Sequence, residues 1–279
     1  MAEQQTKTHQ KRRKRSDDNN TANMTDVQLS KALSWVLRHS GPSLGLKLAP
    51  DGFVPLEDVL SLHHPRFMHK KGGHPKYTVE DVRRVVENND KQRFRLEHKN
   101  GVLCIRANQG HSVRGLQSDE LLTPLTAEEL SDPNLLIIHG TTRKAWEDHI
   151  QHEGLSRMKR NHIHFATGLP KLSKQAKPSS SSLGTKRKQH EHQTNGNGTN
   201  SPTPISGMRS SSEIYIYIDG PRCAKDGVPF HRSDNGVILT SGVDEKKGML
   251  PTKYFEKAVC ALSGKVIWTP PDGDEDERH

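Results

Sequence analysis

The sequence predicts an α+β protein built in two units, and pattern and composition together carry that prediction. In the first hundred residues apolar side chains recur at helical spacing and end in a hairpin; beyond about residue 130 they run or alternate in short blocks of strand length. Only 30% of the 279 residues are hydrophobic, which is low for a chain folded throughout, so part of it is expected outside any core.

Residues 1–23 are polar and aperiodic and carry the basic run Lys11-Arg12-Arg13-Lys14-Arg15. They read as a disordered tail, with a nuclear-import signal or an RNA-grazing arm as the functional alternatives. The first unit spans 24–118. Thr25 and Gln28 have the spacing of a capping box, and Leu29, Ala32, Leu33, Val36 and Leu37 mark one face of a helix ending at Arg38-His39. "PLEDVLSL" reads as a second, short helix. "TVEDVRRVVENND" reads as a third, capped by Thr78, with Val79, Val82, Val85 and Val86 on one face. Phe94 and Leu96 then alternate with charges, Asn100-Gly101 supplies a tight turn, and Val102 to Arg106 returns as a strand. Three helices followed by a hairpin is the order of a winged helix, a frequent nucleic-acid-binding module.

The second unit spans 119–265. "LLIIHGT" reads as a strand, "RKAWEDHIQHEG" as a helix stopped by Gly154, and "NHIHFA", "EIYIYID", "NGVILTSG" and "YFEKAVCAL" as further strands. Residues 170–206, rich in Ser, Gly, Asn, Pro and Lys, have almost nothing to bury and read as a disordered insertion; residues 266–279 read as an acidic tail. Neither a GxGxxG nor a GxxxxGK[ST] loop occurs, so neither a Rossmann dinucleotide site nor a P-loop is available.

A formal charge of +9 favours a polyanionic partner, most commonly a nucleic-acid backbone. Cys104, Cys223 and Cys260 are far apart and form no CxxC pair, which argues against a disulfide framework or a thiolate zinc site. The 17 histidines include His162-x-His164, but alternation puts only one of these on a given strand face, and no Cys or carboxylate stands at ligand spacing. No metal is expected. No apolar run comes near the roughly 18 residues of a membrane span and the N-terminus shows no signal-peptide core, so an intracellular protein of the nucleus and/or cytoplasm, away from membranes, is expected; a monomer is expected as well.

Taken singly, Arg38 and His39 could be helix-end cations favoured by the dipole, Arg106 a surface arginine at a strand end, and "RANQGHS" an ordinary polar loop. Taken together, "LSWVLRHS", "IRANQGHS", "IIHGTT", "GLSRMKRNHIHFA", "GMRSSSEIYIYID" and "NGVILTSG", in this order, closely resemble the motifs of the NAD-dependent RNA 2′-phosphotransferases. The resemblance covers about residues 25–262 apart from the insertion. It implies a winged-helix-like RNA lobe joined to an ADP-ribosyltransferase-like lobe with a split β-sheet. It also implies NAD as co-substrate, and tRNA or another RNA bearing an internal 2′-phosphate as partner.

By the same resemblance the catalytic set is Arg38, His39, Arg106 and Arg160; NAD falls to His139, Gly140, Thr141, His164, Arg209 and Val237; and Asn108, Gln109 and His111 frame the phosphate or adjoining RNA. Guanidinium forks suit a phosphate monoester, which they bind bidentately. In the implied reaction the 2′-phosphate attacks C1″ of NAD, expelling nicotinamide and leaving ADP-ribosylated 2′-phospho-RNA. The ribose 2″-hydroxyl then attacks phosphorus, releasing 2′-hydroxyl RNA and ADP-ribose 1″,2″-cyclic phosphate. Two rivals stand beside it: a winged-helix protein that binds nucleic acid without chemistry, and an ADP-ribosyltransferase that stops after the first step and caps phosphorylated ends.

Overall fold

The computed structural model describes residues 24–69, 73–169, 206–244 and 246–271. The basic tail, all but the last residue of the insertion and the end of the acidic tail lie outside the described residues.

The first core is assembled from local elements. Helix α1 (24–35) runs directly into a π-helical turn, Val36–Ser40, and buries Leu29, Leu33, Val36 and Leu37 completely. Because the chain is already helical at residue 24, Thr25 is not its cap, contrary to expectation. A two-residue strand β1 (Val54–Pro55) leads into α2 (Leu56–Leu60), and α3 (Val79–Glu87) follows. Thr78 caps α3 in a reciprocal box with Asp81, and Val82 and Val85 face inward. Strands β2 (Phe94–Lys99) and β3 (Val102–Ala107) pair from Phe94↔Ala107 to Lys99↔Val102 across Asn100-Gly101, whose φ values of 51° and 80° are those of a primed hairpin turn. β1 adds to the far side of β3, giving the order β1-β3-β2.

The second unit carries α4 (Ser118–Leu121), β4 (Thr123–Pro124), α5 (Ala127–Leu130), β5 (Ile138–Thr141) and a helix α6 (143–153) with a π-helical middle, Trp146–Ile150. There follow β6 (Leu155–Ser156), β7 (Ile163–Phe165), β8 (Ile214–Ile218), α7 (Gly220–Lys225), β9 (Phe230–Arg232) and β10 (Ile238–Thr240), then β11 (Met249–Leu250), β12 (Phe255–Cys260) and β13 (Val266–Trp268). The acidic tail therefore starts later than residue 266: Val266–Trp268 pairs with β12. The "LLIIHGT" strand begins only at Ile138.

Two four-stranded antiparallel sheets result, β4-β9-β10-β7 and β13-β12-β8-β5. Their backbones are bridged by Ile138 and Ala166, which exchange hydrogen bonds of 3.0 and 2.8 Å. Along β8 the pleat sorts side chains: Ile214, Ile216 and Ile218 enter the core with Phe165, Phe230 and Phe255, while Tyr215 and Tyr217 lie against Ile138, Ala166 and Met208 on the opposite face. The two units are stitched by Lys91, whose ammonium donates to the Met208 carbonyl (2.9 Å) and whose own carbonyl accepts from Asn235 Nδ2 (2.8 Å). Asn161 adds bonds to the carbonyls of His111 and Val113. These seams bring the end of α1 and the end of β3 up to β5 and β7.

Candidate active site

Arg38 and His39 occupy the π-helical turn, where the Gly41 N–H reaches back to Val36 O at 2.7 Å. Such surplus-residue turns are frequent at functional sites. Here the turn leaves Val36 and Leu37 in the core and delivers the next two residues to its edge. The loop after β3 folds over them: Ser112 N–H donates to Arg38 O, and Ser112 Oγ lies 2.9 Å from His39 Nδ1. Gly110, at φ +90°, lies against the Arg38 side chain, and a Cβ there would sit 3.5 Å from Arg38 Cδ and Nη1. The Nε and Nη2 of Arg38 are buried without a hydrogen-bond partner.

Arg106 enters from β3 with only 6% of its side chain exposed. It donates through Nη1 to Asp51 O (3.1 Å) and through Nη2 to Asp234 Oδ2 (2.6 Å), and its guanidinium lies 4.8 Å from the centre of the Phe53 ring. Its Nε, like the Nε2 of buried His111, has no partner. Asn108 spends its side-chain donor on Gln92 O and its backbone N–H on Arg93 O, leaving a buried, unpartnered Oδ1. Gln109 is half-buried beside it. Arg160 sits on the turn after β6, closed by bonds between its backbone and Arg157.

Across the seam, His139 Nδ1–H donates to the His164 carbonyl at 2.9 Å, tying β5 to β7, and His164 Nε2 is buried and unpartnered. Gly140 is a position of close approach: a Cβ would lie 2.4 Å from Ser212 Oγ and 2.7 Å from Met208 Cγ. The turn pressed against it carries Arg209, whose carbonyl accepts from Ser212 Oγ. Thr141 ends β5, its carbonyl bound by Glu213 N–H. Val237 precedes β10, whose Leu239 pairs with His164, but its side chain packs with Leu121, Leu122 and Leu239 in a small core of its own.

Electrostatics draw most of these groups into one field. Burial, then Arg93 and Arg160, push Arg38 down to about 10. Burial, then Arg38, His162, His39 and Arg106, push His111 down to about 3. His162 falls to about 4 through burial, His231 and Arg157, and His164 lies well below its ordinary value through burial, Arg160 and His162. His39 is lowered by burial, Arg38 and Arg160; His139 by burial, against its bond to the His164 carbonyl, and by Arg160 and Arg209. Arg160, exposed overall, is lowered by partial burial of its head and by Arg209.

Sequence reasoning missed two members. Arg93, half-buried, acts on Arg38 from the loop before β2, and Asp234 holds Arg106 from 128 positions away. The motif "NGVILTSG" begins one residue past Asp234, yet no spacing signals that contact. Among the described residues no group of three His, Cys, Asp or Glu is arranged to hold a metal ion, and no helix is long and apolar enough to cross a membrane.

A buried donor without an acceptor costs about 1–3 kcal/mol, so the unpartnered guanidinium donors of Arg38 and Arg106 favour an anion with several acceptor oxygens. The model of the RNA 2′-phosphotransferase, Tpt1/KptA family matches residues 24–242. The chain belongs to this family. Among its relatives are tRNA 2′-phosphotransferase 1 of Homo sapiens, 44% identical over 236 residues (84% of this chain, 76% of the relative), and tRNA 2′-phosphotransferase of Saccharomyces cerevisiae, 35% identical over 238 residues (84% of each). A Schizosaccharomyces pombe relative, 38% identical over 241 residues, is longer: the match covers 86% of this chain but 53% of that one.

Proposed function

We propose that the chain removes the splice-junction 2′-phosphate from tRNA, transferring it to NAD as co-substrate. The observation that carries this reading is the buried, unpartnered guanidinium donors of Arg38, beside Arg160 and His39, and of Arg106, which acts with Arg38 on the same His111. The names of the human and yeast relatives supply the substrate class. The element order of the first unit, with β1-β3-β2 as its sheet, supports a winged-helix-like RNA lobe. The two sheets meeting at Ile138 and Ala166 support the split sheet of an ADP-ribosyltransferase-like lobe.

The residues on the second side fit NAD. Gly140 leaves no side chain between β5 and the Met208–Ser212 turn, the buried His164 Nε2 has no protein partner, and Arg209 is a cation suited to a diphosphate. His139, Gly140, Thr141, His164 and Arg209 would hold NAD, which brings a ribose carbon carrying a cationic leaving group; Val237, its side chain closed into the small core with Leu121, Leu122 and Leu239, would contribute through its backbone. Arg38, His39, Arg106 and Arg160 hold the phosphate, with Asn108, Gln109 and His111 beside it or the adjoining RNA. When phosphorus becomes the electrophile, these fixed donors face the charge developing on its oxygens, where preorganised dipoles act most strongly.

The test is incubation of an RNA bearing an internal 2′-phosphate with NAD. Phosphate removal with nicotinamide release is the expected result. A stable ADP-ribosyl adduct would instead make the chain a capping enzyme, and unconsumed NAD would leave a nucleic-acid-binding protein.

A further inference from the structure

Asp234 stands in the turn between β9 and β10, yet its carboxylate is spent on the other unit: it accepts from Arg106 Nη2 at 2.6 Å and from Arg95 Nη1 at 3.0 Å. Those two arginines are directly paired across β2 and β3. Like charges in that position repel, and one of them, Arg106, is almost wholly buried, where an uncompensated guanidinium is costly. Burial raises the Asp234 carboxyl, but its bonds to Arg106 and Arg95 outweigh this and hold it below the ordinary carboxylate range, so it is ionised at neutral pH.

The turn is itself held at several points. Ser233 Oγ donates to Asn235 Oδ1 (2.8 Å) and accepts from Val237 N–H (3.1 Å), while Asn235 Nδ2 reaches Lys91 O across the seam (2.8 Å). One short turn thus carries Asp234, which grips an arginine of the phosphate side, and Val237, assigned to the NAD side. We propose that Asp234 is a positioning residue for phosphate transfer: with the Asp51 carbonyl it fixes two arms of the Arg106 fork and leaves Nε as the arm without a protein partner. The inference rests on the proposed function.

The test is a double-mutant cycle on Asp234→Asn and Arg106→Ala, read in single turnover with 2′-phospho-RNA and NAD. A small misplacement of a positioned group can cost on the order of a hundredfold. Asp234→Asn should slow conversion of the ADP-ribosylated RNA by that order, so that the adduct accumulates, while nicotinamide release stays within a few-fold. In the Arg106→Ala background Asp234→Asn should add nothing, and Asp234→Glu should recover part of the rate. Wild-type behaviour of Asp234→Asn would overturn the inference alone, as would faster turnover, which would make the carboxylate a competitor of the phosphate. Equal slowing of both steps with a lowered Tm, undiminished in the Arg106→Ala background, would mark a structural brace instead. A wild-type chain that releases no nicotinamide would sink the functional reading itself, an outcome distinct from all of these.

Discussion

Burial reaches basic side chains on both sides of the seam, and the two sides respond in opposite ways. On the first, Arg38 is pushed down only to about 10 and remains a cation at neutral pH. On the second, buried His164 and half-buried His139 are lowered further from an already modest value and stay neutral. Desolvation penalises both charges; what differs is the starting affinity for a proton, far higher for a guanidinium than for an imidazole at about 6.5. Burial can therefore leave a guanidinium charged and an imidazole neutral side by side, while a carboxylate at the seam, Asp234, serves to hold Arg106.

That contrast breaks most sharply at the arginines. Alanine at Arg38, Arg106 or Arg160 removes a fixed donor, a loss of about 3 kcal/mol or a factor of about a hundred. Single-turnover gels should show ADP-ribosylated RNA accumulating; loss of nicotinamide release with no adduct at any time would move these residues to binding or to the first step. Gly140→Ala attacks the opposite side, driving a Cβ to 2.4 Å from Ser212 Oγ. Overpacking of this kind costs about 1–3 kcal/mol, so KM for NAD should rise on the order of tenfold while RNA affinity, measured by filter binding, stays unchanged.

The neutral imidazoles make a gentler, pH-dependent prediction. His111, at about 3 when folded, lies below its ordinary value when unfolded, so below about pH 6.5 the unfolded chain takes up a proton that the folded cleft refuses. Stability is then lost as pH falls from 6.5 towards 3, and nothing is lost above 7. His164 acts in the same direction. Through His111 the loss is about 1 kcal/mol by pH 5.5, and Tm should be lower there than at pH 7.5; an equal or higher Tm would contradict the burial of neutral rings. The smallest effect is none: EDTA should leave turnover unchanged, and complete inhibition reversed by a divalent ion would overturn an arginine-only phosphate site.

Much of the fold was legible where a pattern repeats. Leu29, Leu33 and Val36 at helical spacing, Asn100-Gly101 between alternating runs, and Ile214, Ile216 and Ile218 every second residue are local statements that tertiary packing had only to accept. The two-residue strands β1, β4, β6 and β11 are too short to have a period, and β13 carries its apolar residues beside a Pro-rich acidic end that masks them. In the candidate site, Arg38, His39 and Arg106 stood out because they end regular elements. Arg93 and Asp234 did not, because what they do depends on distant partners, Arg38 and Arg106, and no window along the chain contains both members of either pair.

The π-helical turn at Val36–Ser40 also bears on how sequences like this one are aligned. Each residue advances an α-helix by about 100°, so a helical wheel drawn straight through residues 24–40 misplaces everything beyond the surplus residue. A one-residue gap here does not merely shorten the helix. It removes the surplus residue, so the turn closes as ordinary α-helix and the residues after it keep their facing, and a relative with such a gap can still turn a basic pair toward the same loop.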